Sequence, residues 1–214
     1  MSRLSALAFL LTLALAPLAA PAGAADWTLE QKVERGASKL RLWSRPVPGS
    51  DYPEFRMELR LRAAPDEVAS ALVSNLFDPR TWPAHYDRNV LQREPDRVLS
   101  HDTIAVPLFA DRDAVVRTEI RRDPSGDALH IEWRSESEAG PPPSPGVVRM
   151  PRSEGSWSVE SDGRGGSRAV CRSFIDFAGR IPGAMVSSGL EGSMLDQAGW
   201  LRRTIRERHL AGRR

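Results

Sequence analysis

Cysteine is nearly absent: Cys171 is the only one among 214 residues, so no disulfide can form within the chain and packing must hold the fold. It sits in an apolar alternating stretch, which makes it a small buried hydrophobe and a poor nucleophile. Histidine is equally sparse. His85, His101, His130 and His209 are scattered, none at metal-ligand spacing such as H-E-x-x-H, so neither a metal nor a cofactor is expected. There is no G-x-S-x-G elbow and no G-x-x-x-x-G-K-[ST] phosphate loop, and Gly163 to Gly166 reads as a hairpin turn. Charge of one sign never accumulates: 30 Lys and Arg against 28 Asp and Glu are interspersed, so nucleic acid is not an expected partner. Carboxylates such as Glu119, Glu132 and Asp176 are spread over different strands. The residues offer no positive evidence for catalysis.

The one long apolar run is at the start. Arg3 supplies a positive n-region, Leu4 to Ala16 an apolar core, and Ala22-Gly23-Ala24 a small-residue cleavage site, which together read as a secretory signal peptide over 1–24. Pro17 and Pro21 interrupt the run and leave it short for a membrane span. The expected product is periplasmic or secreted, with about 190 residues for one sizeable core.

Residues 25–50 predict a short helix around Leu29 to Leu40, then a turn at Pro46, Pro48 and Gly49. From 51 to 210 the pattern is that of one domain. Phe55, Met57, Leu59 and Leu61 alternate with Arg56, Glu58, Arg60 and Arg62, a strand with one face buried. Pro65 opens a helix lined by Val68, Leu72 and Leu76, with Asp66 and Glu67 in the first turn and Asp78-Pro79 at its close. Strands are predicted at 89–93, 98–106, 114–122, 128–135, 147–150, 156–161 and 168–177. Asp123 to Gly126 forms a turn, and Ala139 to Gly146, with four prolines, a stiff surface loop. Gly179 offers a positive φ, Pro182 suits a first helical turn, and a long helix from Ala184 to His209 follows. Its stripe is Val186, Leu190, Met194, Ala198, Leu201 and Ile205, while Gly189, Gly192 and Gly199 imply either close packing on the sheet or space above a cavity. Strands flanked by separate helices indicate an α+β fold: a curved antiparallel sheet wrapped around a long C-terminal helix.

Several short pieces then stand in a telling order: Pro65-Asp66-Glu67-Val68, Trp82, Val90, Arg112-Asp113-Ala114-Val115, Val147-Val148-Arg149, Gly155-Ser156-Trp157, and Ile175 to Pro182 before the helix. In these the chain resembles the START (StAR-related lipid-transfer) domains of the helix-grip, or Bet v 1-like, superfamily, from about Tyr52 to the C-terminal helix. The resemblance implies an elongated apolar cavity for one lipid or sterol-like molecule, and transient membrane contact. Cavity candidates are Trp82, Tyr86, Asp102, Arg117, Thr118, His130, Trp133, Arg149, Trp157, Met185, Val186, Leu190 and Met194. Family members carry an acidic–basic pair that meets a ligand hydroxyl. Asp102 approximates the acidic position, and the basic one falls near Arg117, with Thr118 on the matching face.

The expectation is a non-enzymatic lipid-binding or transfer protein. A cyclase-like enzyme of the same superfamily would need an acid or base such as Asp102, His130 or Arg117. A partner-binding domain would have a filled core instead.

Overall fold

The structure, a computed structural model, describes residues 26–35, 38–124, 128–179 and 181–211. The expected signal peptide lies outside these residues, as does the far half of the Asp123 to Gly126 turn.

Among the described residues, ten strands form one curved, open sheet. They are β1 (Thr28–Arg35), β2 (Ser38–Pro46), β3 (Pro53–Leu61), β4 (Tyr86–Arg93), β5 (Arg97–Ile104), β6 (Arg112–Arg122), β7 (Ala128–Ser135), β8 (Val148–Arg149), β9 (Arg152–Ser161) and β10 (Ser167–Asp176). The order across the sheet is β1-β2-β3-β10-β9-β7-β6-β5-β4, antiparallel throughout, with the two-residue β8 pairing parallel to β6 off this path. Two α-helices accompany it among the described residues, α1 (Pro65–Asn75) and α2 (Gly183–Ala211).

The helix expected at Leu29 to Leu40 is instead β1 and the start of β2. Leu29 and Val33, four apart, fit a helical face when taken locally. Leu40 and Leu42, both buried, instead pair with Leu59 and Met57 of β3, and β1 is carried with them as an edge strand. Residues 28–35 and 38–46 thus belong to the same sheet as the rest of the domain. β4 and β9 begin earlier than the alternation predicted, at Tyr86 and Arg152. In β9 the extension runs through Gly155, a poor strand former held by ladder pairing on both sides.

The predicted alternation of β3 is met: Phe55, Met57, Leu59 and Leu61 are buried. These side chains, with Leu40, Leu42, Ile131, Trp157 and Val159, meet Met194, Ala198, Leu201 and Ile205 of α2. A second cluster joins Ala114, Val116, Phe174 and Phe177 to Val186 near the start of α2, and Leu190 packs against both. Gly189, Gly192 and Gly199 face away from this seam. A Cβ at Gly189 or Gly192 would meet nothing within 4 Å, and at Gly199 only the Arg203 guanidinium at 3.4 Å, so close packing on the sheet does not account for them.

At its far end α2 is tied to α1. Glu67 accepts from the Ala64 N–H at 3.0 Å and lies 3.2 Å from His209 Nε2, and Arg208 donates to its carbonyl. The first end is set by the turn read from the sequence, where Gly179 has φ +68° beside Ala178 at +53°. Arg112, 3 % exposed, clips this turn to the sheet. Its guanidinium donates to the carbonyls of Phe177 (2.9 Å), Ala178 (3.3 Å) and Ala110, joining the 105–111 loop to the approach of α2.

Candidate functional site

Directly opposed residues of neighbouring strands share a face. Ser100 opposes Val116, and Asp102 opposes Ala114, both within the cluster under Val186, so Ser100 and Asp102 point towards α2. Arg88 opposes Asp102 and Tyr86 opposes Ile104, which places both on the same inner face.

A polar group is thereby buried in an apolar surround. Arg88 donates through Nε and Nη2 to the two Asp102 carboxylate oxygens at 2.8 and 2.6 Å, a two-pronged fork. Tyr86 donates its hydroxyl to Asp102 Oδ2 at 2.7 Å, and Trp82 stands edge-on to the Tyr86 ring at 5.7 Å. Burial works against the Arg88 charge, yet the Asp102 carboxylate more than offsets it and holds the guanidinium pKa above its ordinary value. Burial first, then Asp102, pushes the Tyr86 phenol well up. Two residues along the same face, Ser100 has 0 % exposure and its Oγ has no hydrogen-bond partner among the described residues. An orphaned buried hydroxyl costs about 1–3 kcal/mol, a cost that a ligand oxygen or a water would remove.

The sequence-predicted candidates divide cleanly. Tyr86, Asp102, Thr118, Trp133, Trp157, Val186, Leu190 and Met194 lie on the inner face or the facing stripe of α2. Trp82 sits at the rim, its indole N–H donating to the Asn75 carbonyl at 2.6 Å. Trp133 spreads its ring over Gly155, where a Cβ would come within 2.3 Å of it.

Four candidates are elsewhere. Arg117 alternates with Thr118 onto the outer face and pairs with Glu136, so it cannot be the basic partner of Asp102. His130 opposes Arg121 and Ser158 on that outer face, its side chain 44 % exposed. Arg149 also lies outside, forked onto Asp113 at 2.8 and 2.9 Å, with His101 Nε2 2.8 Å from the same carboxylate. Burial opposes the Asp113 charge, but Arg149 and His101 together hold its carboxyl below the usual range. The proline-rich segment covers this outer group: Arg149 donates to the Pro141 carbonyl at 2.8 Å, and Gly140 abuts Val115. Met185 is 45 % exposed on the outer side of α2.

Sequence reasoning missed Arg88 and Ser100. Arg88 was legible as the residue two places after Tyr86, hence on its face, once the strand is started at Tyr86 and not at Asn89.

No family profile matches the sequence, and no curated protein matches it in sequence. Solved structures do match in shape. A STAR-related lipid-transfer protein from Xanthomonas axonopodis superposes with TM-score 0.68 at 24 % identity, over 84 % of this chain and 98 % of that one. Human StAR-related lipid transfer protein 5 gives 0.68 at 18 % identity, over 88 % and 89 %. The lipid transfer and protein localization domain of human StarD13 gives 0.64 at 19 %, over 85 % and 89 %. The chain therefore has the helix-grip fold of the START lipid-transfer domains.

Proposed function

We propose that this protein holds one lipid or sterol-like molecule between the inner face of the sheet and α2, without covalent chemistry. The observation that carries this reading is the buried Arg88–Asp102–Tyr86 group with the unpartnered Ser100 hydroxyl beside it. In an apolar interior these groups would orient a ligand's hydroxyl or other polar end, while its hydrocarbon body displaces water from the surfaces around Val186 and Leu190. Asp102 already accepts from three donor atoms, so it serves better as an anchor for a hydrogen-bond network than as a free catalytic base. Access is supported at the first end of α2. There Leu108 is 96 % exposed with φ +70° and Met185 is 45 % exposed, while Val106 and Phe109 pack inwards. Apolar tips of this kind suit transient contact with a membrane, and the three outward glycines weaken α2 by up to about 1 kcal/mol each, which favours its loosening. Export by the segment before Ala25 belongs to the same reading and puts the protein in the periplasm or outside the cell.

The test is retention of lipid. Purified protein incubated with a cellular lipid extract, repurified and analysed by mass spectrometry, is expected to carry one class of apolar molecule in about equimolar amount. Leu190→Trp, which fills the seam between the two clusters, is expected to abolish retention with little change in melting temperature. A parent that retains nothing, with Leu190→Trp sharply destabilised, would mean a filled core.

A further inference from the structure

Much of the outer face of the sheet pairs its charges, although Arg134 stands opposite Arg117 with no ion pair of its own among the described side chains. Arg45 and Arg172 hold Glu54, Arg56 and Arg168 hold Glu58, Arg121 holds Glu132, and Arg152 holds Glu154. One end of that face breaks the pattern. Lys39, Arg41, Arg60, Arg62 and Arg164 surround two adjoining hollows of about 220 and 520 Å³, and none of the five has an ion pair among the described side chains. Lys39 stands directly opposite Arg60 across β2 and β3, and Arg60 directly opposite Arg168 across β3 and β10. Like charges at directly opposed positions destabilise a sheet. The two carboxylates in the hollows offset this only in part: Arg60 acts on both Glu58 and Asp162, and Arg164 on Asp162, which leaves two acidic groups among five basic ones. Glu58 is already bonded by Arg168 at 3.1 Å and Arg56 at 3.2 Å. Asp162 spends one oxygen on the N–H groups of Arg164 and Gly166, at 2.8 and 2.9 Å.

The same bonds fix the geometry. Asp162 locks the β9–β10 turn, with Gly163 at φ +69° and Gly165 at +80°. Gly166 is pressed so close that a Cβ would lie 2.6 Å from the Leu61 carbonyl. Arg164 is thus held over the groove by the backbone beneath it. Four guanidiniums with five N–H donors each present far more donors than the two oxygens of a carboxylate can accept, and their planar forks match phosphate.

From this we infer that the groove between β2, β3 and the β9–β10 turn is a binding site for a phosphate group, in free form or in a phospholipid headgroup. It lies on the face turned away from α2, so it stands independently of the interior lipid reading.

Calorimetric titration of the full chain with inorganic pyrophosphate, at two salt concentrations, tests the site. Co-sedimentation with vesicles of phosphatidylcholine, alone or with phosphatidic acid, separates the two sources. Saturable pyrophosphate binding that weakens with salt, and falls about tenfold or more in Lys39→Gln/Arg60→Gln, supports the site with a soluble ligand. Binding only to vesicles containing phosphatidic acid, lost in the same variant, supports the headgroup. Arg164→Gln, at an exposed turn that leaves the core untouched, is expected to weaken binding in the same assay, and Arg152→Gln, on a paired arginine of the same face, to leave it unchanged. Absence of binding to both probes would overturn the assignment, as would equal losses in Arg152→Gln and in the groove variants.

Discussion

The two halves of α2 cover different kinds of surface. Its C-terminal half, from Met194 to Ile205, lies on leucine, isoleucine, methionine and valine side chains of β2, β3, β7 and β9, and that interface is apolar. Its N-terminal half, at Val186 and Leu190, packs with Ala114 and Val116 of β6, whose cross-strand neighbours are Asp102 and Ser100, with Arg88 one strand further on. The apolar packing is concentrated under the C-terminal half, and the buried polar groups lie towards the N-terminal one. Buried ionised groups are tolerated only where their partners are in place, and the Arg112 clip and the Gly179 turn fix the first end of the helix against the sheet beside them.

The largest expected effect comes from splitting the polar group. Arg88→Met leaves Asp102 buried without its fork and is expected to cost about 3–5 kcal/mol at neutral pH, measured by urea denaturation. The double variant Arg88→Met/Asp102→Leu should recover most of that loss, because no charge then remains buried. If the single variant proves as stable as the parent, the polar half is wetter than the contrast requires.

Next, the apolar half is probed at Leu201, which is 0 % exposed. Leu201→Ala is expected to cost about 2–5 kcal/mol. Leu190→Ala, at a half-buried position over the polar half, should cost clearly less, and equal losses would erase the distinction between the two halves.

The turn that aims α2 comes third. Gly179→Val puts a β-branched residue at φ +68°, with its Cβ 3.4 Å from the Arg112 guanidinium, and should cost about 1–3 kcal/mol. The loss should appear together with faster hydrogen exchange in the first turns of α2. An unchanged melting temperature would show that the clip does not depend on this turn.

The smallest effect is one of pH, at the outer Asp113. Its folded pKa is lowered from the ordinary 3.8, so its contribution is present above that value and is lost as pH falls through the lower, folded one. Arg149→Gln should raise that folded pKa, so the variant loses stability at neutral pH and the loss shrinks as pH falls through the folded pKa, with His101 left as the remaining partner of Asp113. Denaturation midpoints followed from pH 2 to 7 would check both the sign and the window.

Local periodicity was enough to read much of this protein from its residues alone. The alternation from Phe55 to Leu61, the four-and-three spacing from Val186 to Ile205, and Gly179 before Pro182 each express a rule that acts within one element. They specified an α+β fold with a closing helix, while the resemblance to the START domains placed Asp102 and Tyr86 among the candidates. What they left open depends on register between strands. Arg88 meets Asp102 fourteen residues away, Arg112 reaches Phe177 sixty-five residues away, and Lys39, Arg60 and Arg164 converge from three separate stretches. Arg117 and Thr118 are neighbours in the chain, yet they face opposite sides of the sheet, so a shift of one residue exchanges a surface ion pair for an interior hydroxyl. Side-chain direction in a strand repeats every two residues, and only the pairing of strands with one another and with α2 decides which of the two faces is the inside.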